Sequence, residues 1–195
     1  MCIRDSFSSG LDLLKRIIVE SLPIVLAGGT IQLLAGLTIE QRLETFATYP
    51  ALLVLVPPFL ASAGALGGIL SSRLSSKLHL GLINPEPWPS RQARSDIILT
   101  FALTLPVFAA ASVVADVGAA VGGLATPGPL RMVLVSLLAG VLTSCFVVVI
   151  AYYGAIAALR FGLDPDNYGI PLVTASVDMV GALALILAIV AIGLA

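Results

Sequence analysis

Charged residues are scarce in this sequence. Asp, Glu, Lys and Arg make up 11% of the 195 residues and hydrophobic residues 58%, whereas a soluble domain carries about 25% charged residues. The net charge of -1 leaves no basic surface for nucleic acid. Two cysteines and one histidine offer neither a disulfide framework nor the spacing of a zinc site. The first ten residues lack an apolar core and a cleavage site, so they do not predict a signal peptide.

Long apolar runs separate the few charges. A transmembrane helix needs ~20 mostly apolar residues, and five such stretches are present, at residues 17–38, 51–70, 97–121, 132–159 and 170–194. We therefore predict an all-α, polytopic protein that crosses the bilayer of the cell membrane five times. Residues 1–16 form a short cytoplasmic segment in this prediction, and residues 17–195 form one transmembrane domain.

The basic residues indicate an orientation. With the N-terminus in the cytoplasm, eight of the ten Lys and Arg residues lie inside and only Arg42 and Arg131 lie outside. This bias follows the positive-inside rule. Five spans then place the C-terminus outside. The longest connection, residues 78–96, has three prolines and Trp88 and is typical of a structured interfacial loop rather than a folded domain.

The second span carries a run of small residues after Pro57 and Pro58. Gly64 and Gly68 form a small-xxx-small pair, which permits close approach of two helix backbones. One interpretation is a packing face between helices. The other is that glycine and proline expose backbone carbonyls to a polar pathway, which is tolerated in a membrane only where the backbone lines a cavity.

Three acidic residues fall within the predicted spans. Glu20 lies about one turn into the first span, where an interfacial position near Lys15 and Arg16 and a functional role are both open. Asp116 lies late in the third span, either as a plain helix-end residue or as a group that gathers cations at a pore mouth. Asp178 lies ~12 Å into the last span, and no Lys, Arg or His follows Arg160 in the sequence.

A carboxylate at such a depth is costly. Insertion scales place the cost at about 2.5–3.5 kcal/mol, and such residues usually face the bundle interior and mark ion or proton pathways. The alternative is a structural carboxylate that accepts hydrogen bonds from Ser or Thr hydroxyls on a neighbouring helix. Pro171, Thr174, Asp178 and Gly181 are spaced three and four apart, so they share one oxygen-rich and uncluttered helix face.

The donors on this face suit a hard cation. Zinc and copper are disfavoured because no His or Cys lies nearby. Ca²⁺ is disfavoured because it needs six to eight oxygen ligands, more than one helix face can supply. Mg²⁺ keeps much of its water and binds through one or two carboxylates. A two-fold homodimer would bring a second Asp178 to the same axis. The face therefore favours Mg²⁺, with Mn²⁺ or Co²⁺ as further candidates.

The motifs resemble those of one family of membrane proteins. The stretch "LDPDNYGIPLVTASVDMVGA" resembles the last-helix signature of the MgtE-type magnesium transporters, with a DP pair, then P-x-x-T and D-x-x-G. "PALLVLVPPFLASAGALGGILSSRLSSKLHLG" resembles their second helix, especially in the solute-carrier branch, and "IIVESLPIVLAGGTIQLLAG" is similar to the first. The resemblance covers essentially the whole chain in order.

This resemblance implies a homodimer of five-helix subunits with a cation pore on the dimer axis. It implies that Asp178 binds Mg²⁺, that Thr174 contributes a backbone oxygen, and that the stretch around Gly64 lines the pore. Pro171, Gly181, Gly68 and Asp116 are further candidate pore-lining residues.

The sequence departs from the family pattern in two ways. Gly64 is followed by Ala65 where the family often has Asn, so a side-chain amide that could contact the hydrated ion is missing. Bacterial members also carry cytoplasmic domains that sense Mg²⁺, and this chain has none, so we expect no gating by such a domain. Solute-carrier relatives fuse two halves, and the single half here favours a homodimer.

Three alternatives compete with a passive Mg²⁺ channel or transporter. The first alternative is a Na⁺- or H⁺-coupled exchanger of divalent cations, and the second is a permease-like subunit of a larger complex. The third is an intramembrane enzyme that uses Asp178 with His79. The sequence shows no second buried carboxylate and no HExxH or GxSxG motif, which disfavours the enzyme. We therefore predict no catalytic residues and no bound cofactor other than the transported ion.

Overall fold

The computed structural model describes residues 2–162 and 169–194, with only the backbone described for residues 2–17, 20 and 21. Every regular element in these ranges is a helix. In chain order the helices are α1 (Cys2–Glu40), α2 (Leu43–Thr48), α3 (Ala51–His79), α4 (Arg91–Val121), α5 (Pro129–Phe161) and α6 (Ile170–Ala191). The all-α prediction is confirmed over these residues.

Among the described residues, five segments are long and apolar enough to cross a membrane. They are Leu22–Glu40 within α1 and the whole of α3, α4, α5 and α6. The predicted number and order of spans are therefore confirmed, and the protein is a multi-pass membrane protein. The helix α1 runs without a break across residue 16, and the division there into two regions stays a prediction.

α1, α3, α4 and α5 extend beyond the apolar runs that predicted them, whereas α6 ends at Ala191, before the end of its run. α3 continues to His79 through polar last turns that include Lys77, a cation that favours a helix C-terminus. α4 begins at Arg91 because the Ser90 hydroxyl accepts a hydrogen bond from the Ala93 amide. Gly162 ends α5 with φ of 63°, a left-handed conformation that glycine adopts without strain. Hydropathy alone marks the membrane-embedded part of a helix and not these ends.

The core of the domain is formed by α3, α4 and α5, which pack against one another. The rings of Phe59 on α3 and Phe108 on α4 lie with centroids 4.7 Å apart, and Phe108 lies directly over Gly140 of α5. α6 packs against α3 and α5 on one side and against α1 on another. Within the described residues α1 makes extensive contact with α6 alone, so α1 stands at the edge of the bundle.

Buried hydroxyls link α4 and α5 across the apolar interior. The Thr104 and Ser144 hydroxyl oxygens are 2.7 Å apart, and the Ser136 hydroxyl donates to the Phe108 carbonyl at 2.8 Å. Such bonds stabilise helix pairs in membranes because lipid offers these groups no alternative partner. The relative positions of α4 and α5 are therefore defined by polar contacts as well as by packing.

The connection from α3 to α4 is tied to α5. The Tyr152 hydroxyl donates to the Glu86 carbonyl at 2.8 Å, and the Tyr153 hydroxyl donates to the Pro87 carbonyl at 3.1 Å. The segment between α3 and α4 therefore lies against the helix bundle, as the interpretation of a structured loop requires. We call this membrane side the α3–α4 side. Its assignment to the cytoplasm stays a prediction, as do the positions of the two termini.

Candidate cation site

Asp178 lies near the middle of α6. It is the ninth residue of a 22-residue helix, so it lies ~12 Å from Ile170 and ~20 Å from Ala191 along the axis. The hydrocarbon core of a bilayer is ~30 Å thick. The carboxylate is therefore at lipid depth, and its side chain is half-buried within the single chain.

The direction of Asp178 follows from its helical neighbours. On one side, Thr174 of α6 faces α3: a Cβ added at Gly64 would lie 3.7 Å from the Thr174 methyl group. On the other side, Ala175 faces α1: a Cβ added at Gly28 would lie 3.3 Å from the Ala175 methyl. At 100° per residue, Asp178 points between these two directions. We call the strip of α6 that is left between α1 and α3 the α1–α3 groove, and Asp178 lies on its floor.

A glutamine on α1 holds the carboxylate. Gln32 donates a hydrogen bond from Nε2 to Asp178 Oδ2 over 2.7 Å, although the two residues are 146 positions apart in sequence. Sequence reasoning did not identify Gln32. The available signal was a lone primary amide among apolar residues in the first span, which is rare at such depth and usually has a polar partner. The family pattern leads one to expect an amide on α3, and here one reaches Asp178 from α1.

None of the described side chains neutralises the charge of Asp178. Among the side chains that the structure describes, no Lys, Arg or His forms an ion pair with it. Gln32 is neutral, so the hydrogen bond leaves the net charge of the pair at -1 whenever Asp178 is ionised. The site can therefore attract a cation, because a buried charge is stable only when it is paired or coordinated.

A second carboxylate in the bundle has the opposite arrangement. Asp96 of α4 is 4% exposed and forms ion pairs with Lys77 and Arg73 of α3, with Arg73 Nε at 3.3 Å from Asp96 Oδ1. The expectation that the chain has no second buried carboxylate is therefore wrong. The apolar run that marked the third span begins at Ile97, one residue too late to include Asp96. Two cations neutralise this group, so Asp96 fastens α3 to α4 and offers no cation site.

A comparison with known families gives the chain an identity. The sequence profile of MgtE, described as a divalent cation transporter, matches residues 56–188. The chain belongs to the MgtE family. No curated protein matches it. The protein is therefore a divalent cation transporter of the membrane, and this family is one of transporters and not of enzymes. The match includes Gly64, Thr174 and Asp178 and excludes Gln32.

The glycines of this MgtE domain serve helix packing. Gly64 and Gly68 of α3 face α6, with added Cβ atoms 3.7 Å from Thr174 and from Ile170 respectively. Gly67, which the sequence analysis did not single out, makes the closest approach: its Cβ would lie 2.9 Å from the Val173 side chain. Gly181 is buried, and its Cβ would lie 2.8 Å from Leu60. The packing interpretation thus holds within one chain, and a pore-lining role for these glycines stays a prediction.

The neighbouring face of α3 carries exposed small or short side chains, namely Pro57, Ala61, Ala65 and Ser72, together with the exposed side chain of Ile69. A polar path along this face stays a prediction. Pro171 and Thr174 lie beside these α3 residues on the floor of the groove and are half-buried. The Thr174 hydroxyl donates to the carbonyls of Ile170 and Pro171, each at 3.0 Å. The DP pair of the family motif lies outside the described residues.

Asp116 and His79 are not brought to this site. Asp116 is on α4, which makes no extensive contact with α6 in the described ranges, and its Oδ1 is buried without a hydrogen-bond partner there. His79 is on the far side of the membrane interior from Asp178. Gly68 of α3 lies opposite Ile170 of α6. From this level, His79 lies further along α3 in one direction and Asp178 further along α6 in the other, so the rise of ~1.5 Å per residue separates them by about 28 Å along the helix axes. An enzyme that uses these two residues together is excluded.

Proposed function

We propose that the protein carries Mg²⁺ across the membrane, and that the ion passes beside Asp178 in a pore formed on the axis of a homodimer. The observation that carries the proposal is the position of this carboxylate. It lies at lipid depth, it has no ion pair among the described side chains, and it is on the floor of a groove with one open side.

The open side of the groove requires a cover. A carboxylate that faced lipid would cost about 2.5–3.5 kcal/mol, whereas a second copy of the chain would enclose it. The exposed small residues of α3, including Ala61 and Ala65, permit two helices to approach closely. Two-fold symmetry then places a second Asp178 opposite the first, because the same patch of both copies forms such an interface.

The donor set favours a hydrated ion. Among the described residues no three His, Cys, Asp or Glu side chains come together in a group that could hold a metal. The site therefore offers about one carboxylate per subunit and a few backbone oxygens. Mg²⁺ binds in this way while it retains several waters, and Mn²⁺ or Co²⁺ can do the same less selectively.

The membrane potential suffices to drive the ion inward. A single charge gains about 2.3 kcal/mol per 100 mV, so a divalent ion gains about 4.6 kcal/mol. We propose passive uptake for this reason. Coupling to Na⁺ or H⁺ is the alternative, and it would appear as a dependence of uptake on the gradient of that ion at fixed potential.

The test is Mg²⁺ uptake by the purified protein in liposomes that enclose a fluorescent Mg²⁺ indicator. We expect Asp178→Asn to reduce the rate at least ten-fold, because the neutral amide cannot balance the charge of a partly hydrated ion. Glu86→Gln is the matched control, since it also removes one carboxylate but lies in the exposed segment between α3 and α4. Uptake by Asp178→Asn at the wild-type rate, with a monodisperse protein, would overturn the proposal.

A further inference from the structure

The contact between α1 and α6 has a polar centre in an otherwise apolar interface. Gly28 allows α1 to approach Ala175 closely, and one turn further along α1 Gln32 meets Asp178. α1 and α6 run in the same direction here, because residues 28 and 32 face residues 175 and 178 in the same order. Gln32 is otherwise exposed. Its amide therefore reaches the carboxylate from one wall of the α1–α3 groove.

The hydrogen bond distinguishes the two oxygens of the carboxylate. Gln32 occupies Oδ2, and the described residues give Oδ1 no hydrogen bond. A carboxylate accepts through both oxygens, so the free oxygen keeps its capacity to bind water or a cation. Without Gln32 the Asp178 side chain could rotate freely about its terminal torsion, which is broad for Asp. The amide thus fixes which oxygen is turned away from α1.

We propose that Gln32 is a positioning residue of the cation site, a role that rests on the proposed function of Asp178. Its amide holds Oδ2 against α1 and leaves Oδ1 for the passing ion or its water shell. The residue type matters as much as the contact. Lys or Arg at this position would neutralise Asp178, and Glu would add a second negative charge that retains the ion. A neutral donor orients the carboxylate and leaves its charge unchanged.

The role of Gln32 is inferred from its contact with Asp178 alone. Gln32 precedes residues 56–188, which match the MgtE profile, so the family match says nothing about it. With Gln32 included, the site extends from α6 and α3 to α1. In the described structure, α1 joins the rest of the domain through α6.

The experiment measures the initial rate of uptake into liposomes against Mg²⁺ concentration for Gln32→Leu and Gln32→Glu. Leu is close in size and makes no hydrogen bond. We expect Gln32→Leu to raise the half-saturating Mg²⁺ concentration about ten-fold, which corresponds to the loss of one hydrogen bond to a charged group, with the maximum rate changed less than two-fold. Gln32→Glu should lower both the half-saturating concentration and the maximum rate. Gln41→Leu is the matched control at an exposed glutamine near the end of α1.

The outcomes separate this inference from the proposed function. If both Gln32 variants keep the wild-type half-saturating Mg²⁺ concentration while Asp178→Asn is inactive, the role of Gln32 is overturned and the proposed function is left intact. A fall in maximum rate alone in both variants would also overturn it, since a purely structural role predicts that pattern. Wild-type uptake by Asp178→Asn would overturn the proposed function itself.

Discussion

Gly67 of α3 lies so close to Val173 of α6 that a Cβ added to the glycine would be 2.9 Å from Val173 Cγ1. Val173 is buried, and the same Cβ would lie 3.5 Å from Val147 and from Val177. This contact defines the distance between the helix that carries the small-residue face and the helix that carries Asp178.

Gly67→Ala is therefore expected to destabilise the domain by about 1–3 kcal/mol, the usual cost of overpacking a core. Val173 cannot easily yield, because a β-branched side chain in a helix has one strongly preferred rotamer. The measurement is the thermal unfolding midpoint in detergent. Gly118→Ala on α4 is the control, since its Cβ would meet nothing within 4 Å and the change should be neutral or stabilising. Equal midpoints for the two variants would contradict the close approach.

The ion pairs of Asp96 predict a second effect on stability. Asp96→Asn leaves Lys77 and Arg73 without their partner. The cost should be about 2–3 kcal/mol, below the 3–5 kcal/mol of a fully buried pair, because Lys77 and Arg73 are 28% and 48% exposed. Chemical or thermal unfolding in detergent measures it.

The double variant Asp96→Asn with Lys77→Met provides the check. It should recover part of the lost stability, because it also removes the less exposed of the two unpaired cations. A double variant that is less stable than Asp96→Asn alone would show that the charges do not interact as the structure places them.

The proposed dimer axis predicts a specific crosslink. In a background with Cys2 and Cys145 replaced by serine, Ala65→Cys should form a disulfide between two copies under mild oxidation in membranes. Val114→Cys on α4, also exposed in the single chain, should not. Dimer formation is read on a non-reducing gel. Crosslinking of Val114→Cys without crosslinking of Ala65→Cys would contradict an interface over the α1–α3 groove.

The positive-inside pattern predicts which side faces the cytoplasm. In the same cysteine-free background, Glu86→Cys reports on the α3–α4 side, and Glu44→Cys on α2 reports on the opposite side; both residues are exposed. We expect a membrane-impermeant thiol reagent added to whole cells to label Glu44→Cys and to label Glu86→Cys only after lysis. The reverse pattern would invert the orientation.

The sequence predicted those features that depend on one segment at a time. Apolar runs identified all five crossings, and the depth of Asp178 followed from its distance along its own run. The partner of that carboxylate did not follow, because Gln32 is 146 residues away and reaches it only when α1 packs beside α6. Asp96 escaped notice for a related reason: its cations lie on another helix, and hydropathy cannot pair them. Gly181 shares a face with Asp178 by spacing alone, yet the structure buries it against Leu60.

The isolated position of α1 has a consequence for biosynthesis. α6 follows α2 to α5 in the chain, and among the described residues α1 has no other extensive neighbour. During translation α1 must therefore wait for its neighbour until α2 to α5 have been made, and Gln32 lacks its Asp178 partner for that time. The hydrogen bond between Gln32 and Asp178 thus forms later than the contacts among α3, α4 and α5 can form.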